Sequence, residues 1–367
     1  MTRENWSIIP IRGIVKNYPW GSHTTLAAHR GEARSEVPEA ELWFGDHPQG
    51  PARIAGTTDT LDRITREFGS LPFLAKILAV EHSLSLQVHP ALPDIPALRD
   101  VLKDDNHKPE MVIALSEFHA LVGFAPIESI LNLLERLNSE KVKNLLAEPL
   151  RSGATLIDAL DRVLGIDDTS GVLDEVLGKI GNLDNREQKW LRELIELYAP
   201  KLDPLALLLC ELVVLQPGES LYLPPRCIHA YLHGTVVEVM ANSDNVIRGG
   251  LTNKPIDKKN FLAVIDTELA KALRIDPVVS DGTQHWIAPI EDFALRRLEG
   301  DIGSEITVDE HAIAFTSSGS VEVSPVGASA HHGNKVVISR NDGVMLAPGK
   351  YLVTGRASLW VVTGKGR

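Results

Sequence analysis

The hydrophobic period of this chain changes twice, and the change limits the fold more than composition does. From Pro126 onward Ile127, Ile130, Leu131, Leu134 and Leu137 recur at helical spacing, with Pro126 suited to a first turn. Leucine- and charge-rich text then runs through Trp190, Leu191, Leu194, Ile195 and Tyr198 to Pro200. On both sides of that stretch the apolar runs are short and cut by turn residues, as in Tyr18-Pro19-Trp20-Gly21 and Gly69-Ser70-Leu71-Pro72. The pattern predicts a mainly β chain with an α insert: a β framework from 1–125 and 204–256, a helical insert at 126–203, and a C-terminal β unit at 257–367. With 367 residues, two or three such units are expected.

Two phrases look like repeats of one β-hairpin unit: Leu212 to Leu223 around Pro217-Gly218, and Val344 to Val353 around Pro348-Gly349. The second lacks the Pro-Pro-Arg-Cys-Ile-His229 that follows the first, so it is expected to keep the fold without a metal. Many short strands with Gly/Pro turns favour a sandwich or jelly roll.

Composition is that of an ordinary globular chain, 44% hydrophobic and 23% charged. A net charge of −12 argues against a nucleic-acid partner or an anionic membrane surface. Any anionic ligand must therefore meet cations gathered locally. Leu205 to Leu215 is the longest apolar stretch, and Cys210-Glu211 breaks it well short of a membrane span. The N-terminal residues have no apolar core of a signal peptide, and the two cysteines read as reduced thiols, so a cytoplasmic location is expected.

Chemistry concentrates in three places. Leu84-Ser85-Leu86-Gln87-Val88-His89 alternates with period two, which puts Ser85, Gln87 and His89 on one strand face. Glu110 follows in Asn106-His107-Lys108-Pro109-Glu110, and an extended chain there gives Lys108 the same face. The segment His229 to Lys254 adds an imidazole, Glu238, Asp244, Arg248 and Lys254. Gln87, His89, Glu110 and His229 offer two imidazoles, a carboxylate and an amide oxygen, a set suited to a divalent metal such as Zn²⁺. His82, His107 and His119 remain alternatives on periodicity alone.

Lys103-Asp-Asp-Asn-His-Lys-Pro-Glu110 resembles the first signature of the type I phosphomannose isomerases, and His229 to Lys254 resembles their second. Tyr18-Pro-Trp-Gly21, Glu41-Leu-Trp-Phe-Gly-Asp-His-Pro48 and Leu84 to Pro90 are also similar to that family. The resemblance implies cupin-type jelly-roll domains and one zinc ion per chain. It implies interconversion of mannose 6-phosphate and fructose 6-phosphate through an enediolate. Carried over by position, it puts the zinc ligands on Gln87, His89, Glu110 and His229 and the catalytic arginine on Arg248. Glu238, Asp244 and Lys108 are candidates for the base.

For the phosphate, Ser85, Lys108, Arg226 and Lys254 are candidates, with Tyr231 as a hydroxyl donor and Trp20 as a wall; no Walker loop is present. Departures from the family are Phe44 and Asp46, Gly249 where Ala is usual, and Asn253 where Pro is usual. Two rival readings are a non-haem iron oxygenase built on His89, Glu110 and His229, and a non-catalytic sugar-phosphate sensor.

Overall fold

The computed structural model describes residues 6–268, 271–327 and 335–365. Its strands form two antiparallel systems, one of eleven strands and one of nine. The eleven-stranded system is a jelly roll whose two layers share one long strand, His229–Ala241. The second half of that strand pairs with Phe73–Val80 and with Glu110–Ala114. Its first half pairs with Leu86–Val88 and Phe118–Phe124 in the opposite layer.

Between the halves the register slips: Tyr231 faces Ala120 but His233 faces His119, leaving Leu232 as an extra residue. Odd positions before this bulge and even positions after it therefore share the interior face. Tyr231 and Val236 lie in the interior core, Ala230 and Leu232 against the helices, and Val237 and Val239 on the outer face. Gly234 makes the crossing at φ +115, and a Cβ there would meet the Glu117 carbonyl oxygen at 2.4 Å.

From Ile127 to Leu208 the elements are helices joined by turns. Helix Ile127–Leu137 ends at Asn138 in the left-handed region. Helix Asn185–Tyr198 starts with a reciprocal Asp184/Glu187 capping box. The helices cover the back of the layer holding Leu86–Val88: Leu86 and Val88 share one core with Ile130, Leu134, Trp190 and Leu194. Ile127, at the helix start, is exposed instead of joining that face.

The nine-stranded system has its own core. It also packs on the outer face of the jelly roll, where Phe44 stacks on Phe315 at 4.5 Å beside Phe73, Val237 and Trp360. The N-terminal strand Ile8–Arg12 lies in this second sheet, paired with Asp342–Leu346.

One expectation is corrected. Gly218 does make a turn, with the Glu219 N–H donating to the Gln216 carbonyl at 2.9 Å. Yet Cys210–Leu215 pairs with Phe118–Phe124, while Ser220–Leu223 pairs with Glu110–Ala114 in the other layer. The later phrase behaves alike: Asp342–Leu346 and Gly349–Thr363 lie on opposite sides of Ala312–Pro325. The repeated unit is a corner, not a hairpin. In a sandwich a tight turn also serves to pass the chain between layers, a choice that local residues do not encode. Both cysteines are buried and free, and no described helix is long and apolar enough to cross a membrane.

Candidate active site and metal centre

Alternation along Leu86–Val88 sends Leu86 and Val88 to the helices and Gln87 into the jelly-roll interior, with His89 following. Glu110 is the first residue of its strand and His229 the first of the long shared strand. All four converge. His89 Nε2 lies 3.1 Å from Glu110 Oε1, and His229 Nε2 lies 3.5 Å from Glu110 Oε2. The Gln87 amide sits 3.1 Å from His229 Nε2, and a half-turn of that amide presents its oxygen instead.

Each imidazole is held by a carbonyl: His89 Nδ1 donates to Asn245 O at 2.7 Å and His229 Nδ1 to Cys227 O at 2.9 Å. A carbonyl only accepts, so both Nε2 atoms keep a lone pair facing inward. His89 Nε2 is buried with no hydrogen-bond partner. His89, Glu110 and His229 place their ligand atoms within 4.8 Å of one another, and they are the one such His/Cys/Asp/Glu group among the described residues. His107 bonds Asp292, His119 bonds Glu117 and Trp190, and His82 is exposed; none joins the group.

Burial, helped by the Lys108 ammonium, pushes the His89 imidazolium down to about 4, and burial lowers His229 also. Both rings are therefore neutral near pH 7. Burial of Glu110 works against its charge, but Lys108 Nζ at 2.8 Å prevails and holds its carboxyl well below the usual range. Two neutral nitrogens, one carboxylate and one amide fit a divalent ion such as zinc.

Gln87 and Glu110 line a cavity of about 610 Å³, whose walls also include Trp20, Ser85, Lys108, Tyr231, Glu238, Asp244, Arg248 and Lys254. Arg248 is registered against Gln87 on the adjacent strand. Trp20 stacks with Tyr18 at 5.8 Å, and Lys254 Nζ lies 5.5 Å from the Tyr18 ring. Ser85 is partly exposed two residues before Gln87. Tyr231 is buried, and its hydroxyl donates to Glu110 Oε2 at 3.1 Å. Asp244 is ion-paired with Lys103; burial raises its carboxyl, but that pairing outweighs it and the net shift is down. Glu238 is fully buried, and burial raises its carboxyl although Lys76 opposes the shift. Arg226 is not part of this wall; its guanidinium grips Asp94 at 2.8 and 2.6 Å.

Three further members of the site carry no role in the sequence reading, although Trp43 and Asn245 lie within its family-like phrases. Lys76 Nζ lies 3.1 Å from Glu238 Oε2 and 4.0 Å from Glu41 Oε2. The Trp43 ring lies beneath both Lys76 and Lys16, at 5.0 and 4.6 Å from centroid to nitrogen. The available signal was a single lysine inside Phe73–Val80, a strand with all eight residues buried. Asn245, fully buried, ties Lys103 N, Asp104 O and Asn106 O together and so fixes the loop that leads to Glu110.

Antiparallel jelly-roll layers around a buried His–Glu–His cluster place the molecule among the metal-binding cupin enzymes. Residues 8–127 match the model of the phosphomannose isomerase type I catalytic domain. The chain is 32% identical to the mannose-6-phosphate isomerase of Escherichia coli K12, covering 82% of this chain and 86% of that one. It is 30% identical to mannose-6-phosphate isomerase 1 of Arabidopsis thaliana, over 77% of each. A crystal structure of mannose 6-phosphate isomerase bound with zinc and yttrium superposes with a TM-score of 0.84 at 27% identity, covering 98% of this chain and 100% of that one. The chain belongs to the type I phosphomannose isomerase family.

Proposed function

We propose that this chain interconverts mannose 6-phosphate and fructose 6-phosphate, with one zinc ion held by Gln87, His89, Glu110 and His229. The observation that carries this reading is the His89–Glu110–His229 cluster at the base of a cavity whose wall also bears Arg248 and Lys254. Zinc, when bound, supplies Lewis-acid polarisation of the sugar oxygens. The remaining work falls to side chains. Glu238, desolvated and raised in pKa, moves the proton between C1 and C2 of the open-chain sugar. Lys76 positions that carboxylate through the contact at Oε2. Arg248, a permanent cation, stabilises negative charge developing on the substrate oxygens as the enediolate forms.

Lys108, bonded to Glu110, orients a substrate oxygen beside the metal. Asp244, held ionised by Lys103, orders the opposite wall. Lys254 and Ser85 receive the phosphate, Trp20 walls the sugar, and Tyr231 steadies Glu110 from the buried side. Gln87 beside the cluster and the cationic wall favour a redox-silent metal and a phosphorylated sugar over oxygenase chemistry. Two buried free thiols suit a cytoplasmic setting.

A coupled assay for fructose 6-phosphate tests the reading. EDTA should abolish turnover and Zn²⁺ restore it. Arg248→Ala should lower kcat by about 10²–10³ while leaving metal content near wild type. A zinc-loaded protein that forms no fructose 6-phosphate would support the sensor instead.

A further inference from the structure

The helical insert carries no chemical motif, yet its C-terminal end reaches the cavity beside the metal cluster. Leu197 and Tyr198, the last residues of helix Asn185–Tyr198, line that cavity, and the Tyr198 hydroxyl lies 3.0 Å from the Ser83 hydroxyl. On the same wall runs the segment Leu251 to Lys254. It follows the strand Ile247–Gly250, which is held by its pairing with Leu86–Val88. At Gly250 the chain leaves that ladder, so the placement of Lys254 depends on other contacts.

The insert supplies them. Asp203 is fully buried, and each of its carboxylate oxygens accepts one backbone N–H: Oδ1 from Gly165 within the insert at 2.7 Å, Oδ2 from Leu251 at 3.0 Å. Two residues earlier, Lys201 Nζ donates to the Thr252 carbonyl at 3.3 Å. Thr252 in turn accepts the Lys254 N–H on its hydroxyl at 3.1 Å. Leu251 stands at φ +50, in the left-handed region that a bulky side chain rarely adopts. Such a conformation persists only where its surroundings enforce it, and the Asp203 carboxylate on its N–H is one such constraint. The fit is close: a Cβ on Gly250 would come within 3.1 Å of Asp203 Oδ2 and 2.8 Å of Leu164 Cδ2. A buried carboxylate bridging two separate segments does more than cap one turn; it fixes where the chain goes after Arg248.

We propose that Asp203 is a positioning residue for substrate binding: by holding the Leu251 N–H it sets the 251–254 segment so that Lys254 meets the phosphate of the sugar, an inference that rests on the function proposed above. Steady-state kinetics of the zinc-loaded chain with mannose 6-phosphate, beside its calorimetric affinity for that sugar phosphate, test it. In Asp203→Asn the amide nitrogen faces one of the two N–H donors, so one hydrogen bond is lost. The expected result is a KM and a dissociation constant raised about tenfold or more with kcat within about twofold, because Arg248 stays in its ladder. A merely structural loss would instead lower the active fraction, and so the apparent kcat, with KM unmoved. Since the effect runs through Lys254, adding Asp203→Asn to Lys254→Met should raise KM no further. Lys201→Met, at a partly exposed position, should raise KM in the same direction and carries the test if Asp203→Asn does not fold. An unchanged KM in the folded variants, a loss of kcat alone, or effects that simply add to that of Lys254→Met overturns the proposal. A wild type that binds mannose 6-phosphate without forming product defeats the isomerase reading, and the affinities of the variants then decide this one.

Discussion

At the scale of single residues, the group that repays attention is Lys76. A buried lysine survives as a cation only because carboxylates surround it: burial disfavours its charge, but Glu41, Glu238 and Glu110 raise its pKa above the ordinary value. The same contact acts on Glu238 in the other direction, since Lys76 pulls down a pKa that burial has raised. Removing the ammonium therefore lets the Glu238 pKa rise further, and its ionised form appears only at higher pH. Lys76→Met is expected to lower kcat with little change in KM. It should also move the acid limb of the pH–rate profile upward by about one unit or more, where one unit corresponds to about 1.4 kcal/mol. Profiles of the variant and of Glu238→Gln check this; an unmoved limb in Lys76→Met removes Lys76 from the positioning role. Alternation put Ser85, Gln87 and His89 on one strand face, and the family-like signatures, not periodicity, picked out Glu110 and His229 to stand beside them. The sequence hid Lys76, because a lysine in a continuous apolar run gives no hint of which carboxylates meet it across neighbouring strands.

At the scale of elements, the departures from the family pattern have local causes. A Cβ on Gly249 would meet the Phe261 ring at 2.3 Å, so the strand Ile247–Gly250 and the helix Lys258–Val264 approach more closely than alanine permits. Asp46 accepts from Leu71 N at 2.9 Å and from the Asn242 side chain at 3.0 Å, tying down the Gly69–Pro72 turn. Nothing in the structure explains Asn253. Gly249→Ala is expected to destabilise the chain by roughly 1–3 kcal/mol through overpacking and to displace the neighbouring Arg248. Thermal unfolding and kcat check this together, and Phe261→Leu added to the variant should recover part of both. Helices and strands themselves were readable because each obeys its own period over several residues. Strand partners were not, which is why the two Pro-Gly corners resembled hairpins: pairing is decided by cores such as that of Phe44, Phe73 and Val237, assembled from distant segments.

Across the whole molecule, the two ends of the described chain are joined in one sheet, Ile8–Arg12 against Asp342–Leu346, and the Phe44–Phe315 stack lies in the core shared with the jelly roll. A chain ended at Asp266 would expose Phe44, Phe73, Ile77 and Val239 on one face and leave Ile8–Arg12 without its Asp342–Leu346 partner. Such a fragment is expected to aggregate or to lose cooperative unfolding, which light scattering and a melt monitored by tryptophan fluorescence would show. A soluble, cooperatively folding fragment would mean that the jelly roll stands alone.

The supernumerary Leu232 has a consequence for how chains of this kind diverge. His229 and Glu238 are an odd number of positions apart, so in a straight strand they would look in opposite directions. The extra residue restores their common face, and losing one between the bulge and Glu238, with the bulge kept, would swing Glu238 out of the cavity and into the seam beside Phe315, placing a carboxylate among hydrocarbons. No half-length version exists, so descent can vary the identity of residues along this strand far more readily than their number.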